Sequence, residues 1–317
     1  MRHASMQSSS SPNFSCSARR FLAAAAFVGL GASSFASAAS SEAATFGDIT
    51  SANGECVVGN PNTYISTKYL DWVWDNRIGP NVDVSKESNW KVMDNKNWIM
   101  DHIVHNNGTL NYCVRWDSID KLSKSMASKF QDALTRQYKA WNHWLIGYNC
   151  WPHEEIKVNI VGFAVKDASL LDWTDDSLGK IYEGDLDNDG VPQCPQSCYR
   201  FYDNGISGWS DTSACKSEPF DVFLQPKKGL DGGFGYDYGQ AVNQEDMLSN
   251  IDGDQLTIIA HEIGHGFGLP DFYEANEQPG TDFPNCLMKA GSSMTVTDSD
   301  GWMLRRVLEH LKPRYNF

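Results

Sequence analysis

The sequence predicts an α/β fold: a small twisted sheet packed by a long helix and completed by two later helices. Three observations carry this. Stretches of period-two alternation occur at 110–116, 156–160 and 220–224; a long apolar stripe of period three to four lies between the first two; and two shorter helical patterns follow near 254–267 and 299–311.

Each element has a local reason. Residues 110–116 alternate around Cys113 and Trp116 and read as a strand. Leu122, Met126, Phe130, Leu134, Tyr138, Trp141 and Leu145 then form one apolar face, so a single helix is expected from Ser118 or Asp120 to Ile146. Ile156, Val158 and Ile160 mark a second strand, and the run from Phe220 to Leu224 a third. The helix at 254–267 has Asp254 as its expected N-cap. A final helix spans about 299–311.

The bulk numbers bound the function. With 317 residues and 41% apolar composition, the chain can bury a large core. A net charge of −14 with only 26 Lys and Arg excludes a phosphate-backbone partner, hence nucleic acid. At the N-terminus, Arg19-Arg20 precede an apolar run at 21–30 and an Ala36-Ser37-Ala38 cleavage pattern, so 1–38 is expected to be a signal peptide. The run is too short to cross a bilayer, and no later segment looks membrane-spanning. A secreted, extracellular protein follows. Of eight cysteines Cys16 lies in this leader, which leaves seven, an odd number, for an oxidising compartment. An Asn107-Gly108-Thr109 sequon agrees with that route.

Residues 39–108 form an N-terminal extension, either integral to the fold, with Cys56 paired to Cys113, or an inhibitory pro-segment. In the second case the Cys56 thiolate or the Asp48 carboxylate would reach the site. Residues 109–317 form the main domain, with a cysteine-bearing acidic insertion at about 167–219. Cys194, Cys198 and Cys215 would staple that insertion rather than bind zinc.

The chemistry lies in the run His261-Glu262-Ile263-Gly264-His265-Gly266-Phe267-Gly268-Leu269-Pro270-Asp271. Two histidines four apart share one helix face and can direct ring nitrogens at one ion. Glu262 sits beside the first, within reach of a water. Gly268 can adopt a positive φ and end the helix, Pro270 prevents its continuation, and Asp271 can turn back as the third ligand.

These residues resemble the metzincin metallopeptidases, in the snapalysin-like form where Asp stands in place of a third histidine. Leu269-Pro270-Asp271-x-Tyr273 is similar to that family's continuation, and Leu287-Met288 before Lys289-Ala290-Gly291 resembles its methionine turn. The likeness covers about 109–312, strongly only at 254–291. It implies a metzincin-like fold and a secreted zinc endopeptidase acting on proteins or peptides. His261, His265 and Asp271 would hold zinc, Glu262 would be the general base, and Met288 the apolar floor, with Met294 competing. Tyr273 would either donate to the developing oxyanion or pack under the ligand loop. The insertion and the stretch before 109 depart from the family pattern and leave substrate choice open.

Further signals are less complete. Asp185, Asp187 and Asp189 alternate before Gly190 as in a calcium loop, but position twelve is Gln196 instead of a bidentate Glu, and Asx-turns produce similar runs. Tyr64, Tyr69, Trp72, Trp74, Trp90 and Trp98 cluster early; exposed, they would suit a carbohydrate-binding protein with a vestigial zinc motif. A zinc hydrolase of non-peptide amides or esters uses the same chemistry. The oligomeric state is not legible.

Overall fold

A computed structural model describes residues 56–59, 61, 64–86 and 88–317. The leader and Asp48 lie outside the described residues. The described chain begins with helix α1 (Thr67–Val73), which passes into a π-helical turn at Trp74–Ile78, and then α2 (Ile99–His105). Strand β1 (Thr109–Arg115), helices α3 (Lys124–Ala127) and α4 (Phe130–Asn142), and strands β2 (Lys157–Val165) and β3 (Lys180–Glu183) follow. The insertion carries the small hairpin β4 (Tyr202–Asp203) and β5 (Gly208–Trp209). Then come β6 (Val222–Lys227), β7 (Gly233–Tyr236), β8 (Gly239–Asn243), α5 (Gln244–Ser249), α6 (Thr257–Gly266) and α7 (Asp298–Leu311).

The main sheet has six strands in the order β3-β2-β1-β6-β8-β7. All neighbours are parallel except β7, which runs antiparallel to β8 at the edge. β1 is buried along its length because both of its faces are covered. Tyr112 and Val114 face the main core, against which α4 and α6 pack. Cys113 points the other way, into a second cluster with Ala164, Cys194, Cys198 and Phe220 supplied partly by the insertion. The hairpin of β7 and β8 carries no alternation signal, since its sequence is glycine-rich.

The long helix is interrupted. Leu122 lies outside it, bridged through its backbone to Leu171, and the Ser123 hydroxyl caps a fresh start by accepting from the Met126 amide. The chain re-enters a helix only at Phe130 and leaves it at Asn142. Gly147, Asn149 and Cys150, all at positive φ, then reverse the chain toward β2. The apolar stripe still serves its purpose, because Phe130, Leu134, Tyr138, Trp141 and Leu145 are all fully buried.

Asp254 is not the N-cap of the later helix. α6 begins at Thr257 after Leu256, whose side chain cannot cap. The buried Gln137 of α4 takes that role: its Oε1 accepts from the Leu256 amide at 3.2 Å, and its Nε2 donates to the Asp254 carbonyl at 3.2 Å. A tertiary cap replaces the local one.

Three disulfides join Cys56 to Cys150, Cys113 to Cys194, and Cys198 to Cys215. The expected pairing of Cys56 with Cys113 does not form, because Cys113 faces the insertion while Val57 bridges to Tyr148 and brings Cys56 beside Cys150. Cys286 is the odd, buried cysteine. Among the described residues no helix is long and apolar enough to cross a membrane.

The segment before β1 shares the main core. Trp74, Trp98, Ile99, Met100 and Ile103 are buried in it, and Tyr64, Tyr69, Trp72 and Trp90 pack against it. The early aromatics are therefore core residues rather than an exposed sugar-stacking surface.

Candidate metal centre

α6 ends where the sequence calls for it. The Gly268 amide donates to the His265 carbonyl at 2.8 Å and the Leu269 amide to the Gly264 carbonyl at 3.1 Å, the paired bonds of a Schellman cap. Gly268 has φ +91°, a conformation that favours glycine. The chain turns back, so Asp271 meets both histidines from beyond the helix end.

The donor atoms converge. His261 Nε2 lies 3.1 Å and His265 Nε2 3.4 Å from Asp271 Oδ1, and these three residues form the one group of potential metal ligands among the described residues. Each imidazole is fixed from behind: His261 Nδ1 is 2.8 Å from the Leu287 carbonyl, and His265 Nδ1 is 2.8 Å from that of Leu269. A carbonyl only accepts, so both Nδ1 atoms carry a proton, and each Nε2 is turned inward toward Asp271. The rings stand nearly perpendicular, 86° apart.

Glu262 and Tyr273 flank this triangle. Glu262 Oε2 is 3.7 Å from His265 Nε2, and the Tyr273 hydroxyl is 3.1 Å from His261 Nε2. Tyr273 is 51% exposed and stands at the rim of the group. Burial pushes the Glu262 carboxyl above its ordinary range, against the lowering pull of His265 and His261. Burial would also raise Asp271, but hydrogen bonds from His261 and His265 outweigh it and hold that carboxyl well below the usual range. One acid is thus kept anionic while its neighbour becomes more basic.

Residues that the motif did not reveal hold the site in place. The buried carboxylate of Asp300 accepts from the Leu287 and Met288 amides at 2.7 and 3.2 Å, pinning the turn whose carbonyl fixes His261. Thr297 and Asp300 form the capping box of α7, a pattern that the sequence does contain. Arg77 donates to the Glu277 carbonyl at 2.6 Å and lies over the Phe272 ring, tying the ligand loop to the segment before β1. Trp90 donates to the Gly268 carbonyl. Neither Arg77 nor Trp90 has a local sequence signal.

Met288 is buried beneath the helix, where a Cβ on Gly264 would stand 2.4 Å from its sulfur. Met294 is 66% exposed and cannot form a floor. Cys56 is in a disulfide and offers no thiolate.

Asp185, Asp187 and Asp189 do not converge as a ligand set. Asp187 Oδ1 accepts from the Asp189 and Val191 amides, both at 3.0 Å, and its other oxygen pairs with Arg115. That is an Asx-turn closed by an ion pair.

Comparison with protein-family models, with curated proteins and with solved structures finds no match to this chain.

Proposed function

We propose that this chain is a secreted zinc-dependent endopeptidase of the snapalysin-like, metzincin kind. The observation that carries the proposal is the convergence of His261 Nε2, His265 Nε2 and an Asp271 oxygen, with Glu262 and Tyr273 at its rim. A tetrahedral zinc with bonds of about 2.0–2.2 Å spaces its donors about 3.3 Å apart, and the separations of 3.1 and 3.4 Å suit that spacing. When bound, zinc supplies a Lewis acid that polarises a carbonyl and brings the pKa of a water toward about 7.

The residues of the chain do the rest. Glu262 accepts the proton of the attacking water and returns it to the leaving amine, and its raised basicity suits both transfers. The Tyr273 hydroxyl donates to the oxyanion that develops on the carbonyl. No side chain forms a covalent intermediate.

The edge strand favours a peptide over a small amide or ester. Gly233 and Gly235 of β7 lie against Glu262 so closely that a Cβ at either would stand within 2.5 Å of it. β7 is the sheet's antiparallel edge, and an extended peptide adding to such an edge would run past Glu262. Metal analysis with casein hydrolysis, beside small ester and amide substrates and with and without a chelator, tests the proposal. A metal-free protein, or chelator-resistant hydrolysis, would overturn it.

A further inference from the structure

Helix α2 ends in a turn that its own backbone closes. The Gly108 amide donates to the Ile103 carbonyl at 2.8 Å and the Asn107 amide to that of Val104 at 3.3 Å, the paired bonds of a Schellman cap. Asn107 takes the left-handed position of this cap, with φ +52°. Glycine fills that position most often and asparagine sometimes, because both tolerate positive φ.

Two adjacent asparagines in the turn have opposite fates. Asn106 is spent inside the fold: its Nδ2 donates to Asp221 Oδ1 at 2.8 Å, and its Oδ1 accepts from Arg200 Nη1 at 2.7 Å. Asn107 is exposed, and its carboxamide has no hydrogen-bond partner among the described residues. A glycine would serve the cap at least as well, so this carboxamide is surplus to the fold. It is also the one followed by a hydroxyl two residues on, in Asn107-Gly108-Thr109. The triplet Asn13-Phe14-Ser15 lies in the expected leader, outside the described residues.

Thr109 opens β1, whose sheet neighbours β2 and β6 both come later in the chain. During synthesis the triplet is therefore complete before the strand has anything to pair with, and non-local parallel pairing is slow. A modifying enzyme meets an extended, unpaired acceptor, and the finished fold leaves Asn107 at the surface.

We propose that Asn107 carries an N-linked glycan. The donor is an oligosaccharide on a lipid pyrophosphate. The carboxamide nitrogen attacks its anomeric carbon; the nitrogen–carbon bond forms, the bond from that carbon to the pyrophosphate oxygen breaks, the lipid pyrophosphate departs, and the nitrogen gives up one proton. The turn meets His153, Asp221 and Arg200, none of which belongs to the candidate metal centre. The inference thus rests on the secretory part of the proposed function and not on its metal chemistry.

The test is expression in cultured eukaryotic cells, once with residues 1–38 in place and once with a host leader instead of them, followed by intact-mass measurement. The secreted protein should exceed the mass of its polypeptide, and peptide-N-glycosidase should remove the excess and leave Asp at position 107. Asn107→Gly suits the positive φ and keeps the cap, yet should lose the whole glycan. Thr109→Ala should lose it with Asn107 still present, and Thr109→Ser should retain it. An unmodified mass in both arms overturns the proposal, as does a glycan that persists in Asn107→Gly. A glycan in the host-leader arm alone supports the site and overturns the secretory reading instead.

Discussion

The indole Nε1 of Trp90 donates to the carbonyl oxygen of Gly268 across 3.0 Å. The same ring meets His265 edge-on, with centroids 6.1 Å apart. A residue far upstream of the motif thereby holds both the helix cap and one candidate ligand. Val92 from the same segment packs on Gly268, and Ile99 on Gly266. The segment that carries Trp90, Val92 and Ile99 therefore packs against the candidate site.

Trp90→Phe keeps the aromatic bulk and deletes the N–H donor. Support behind a metal ligand is worth about 10- to 100-fold in affinity, and the bond here reaches the cap rather than the ligand itself, so a loss of about tenfold is expected. Competition with a chromogenic zinc chelator measures it. Wild-type affinity would show that the indole only fills space.

Glu262→Gln preserves shape and removes the base. Zinc content by elemental analysis should match wild type, while kcat falls by about 10²–10⁴, the usual contribution of a positioned general base. If the variant turns over casein normally, Glu262 is not the base.

Tyr273→Phe distinguishes oxyanion donor from packing residue. Loss of one donor to the developing charge should lower kcat by about 10²–10³ and leave KM nearly unchanged. An unaltered kcat, with at most a small change in melting temperature, would assign Tyr273 to packing.

Gly264→Ala places a methyl 2.4 Å from the Met288 sulfur and 2.9 Å from the Trp141 ring. Both neighbours are fully buried, and overpacking of this kind costs about 1–3 kcal/mol. Denaturant unfolding should show the midpoint fall at constant slope. Adding Met288→Ala should relieve the contact and restore part of the loss.

Strands β1, β2 and β6 were legible because alternation is a property of neighbouring residues, and so was α7. The helix interruption at Ser128 and Lys129 was not, because the apolar stripe continues through it without a break in period. The partner of the calcium-like run was hidden for a related reason: Asp187 pairs with Arg115 of β1, 72 residues away in sequence.

By itself, then, the sequence determined the candidate centre's own residues. The spacing of His261 and His265, the carboxyl beside the first, and the Gly268 reversal that returns Asp271 all operate within about three turns of chain, where backbone geometry decides which side chains meet. Tertiary structure alone decided what holds them there. Gln137 caps α6 from 119 residues away, Asp300 pins the Met288 turn, Trp90 and Arg77 brace the ligand loop, and Cys56 finds Cys150 instead of Cys113. Such partners are chosen by which buried donors and acceptors the packed layers leave facing one another, and no local spacing encodes that choice.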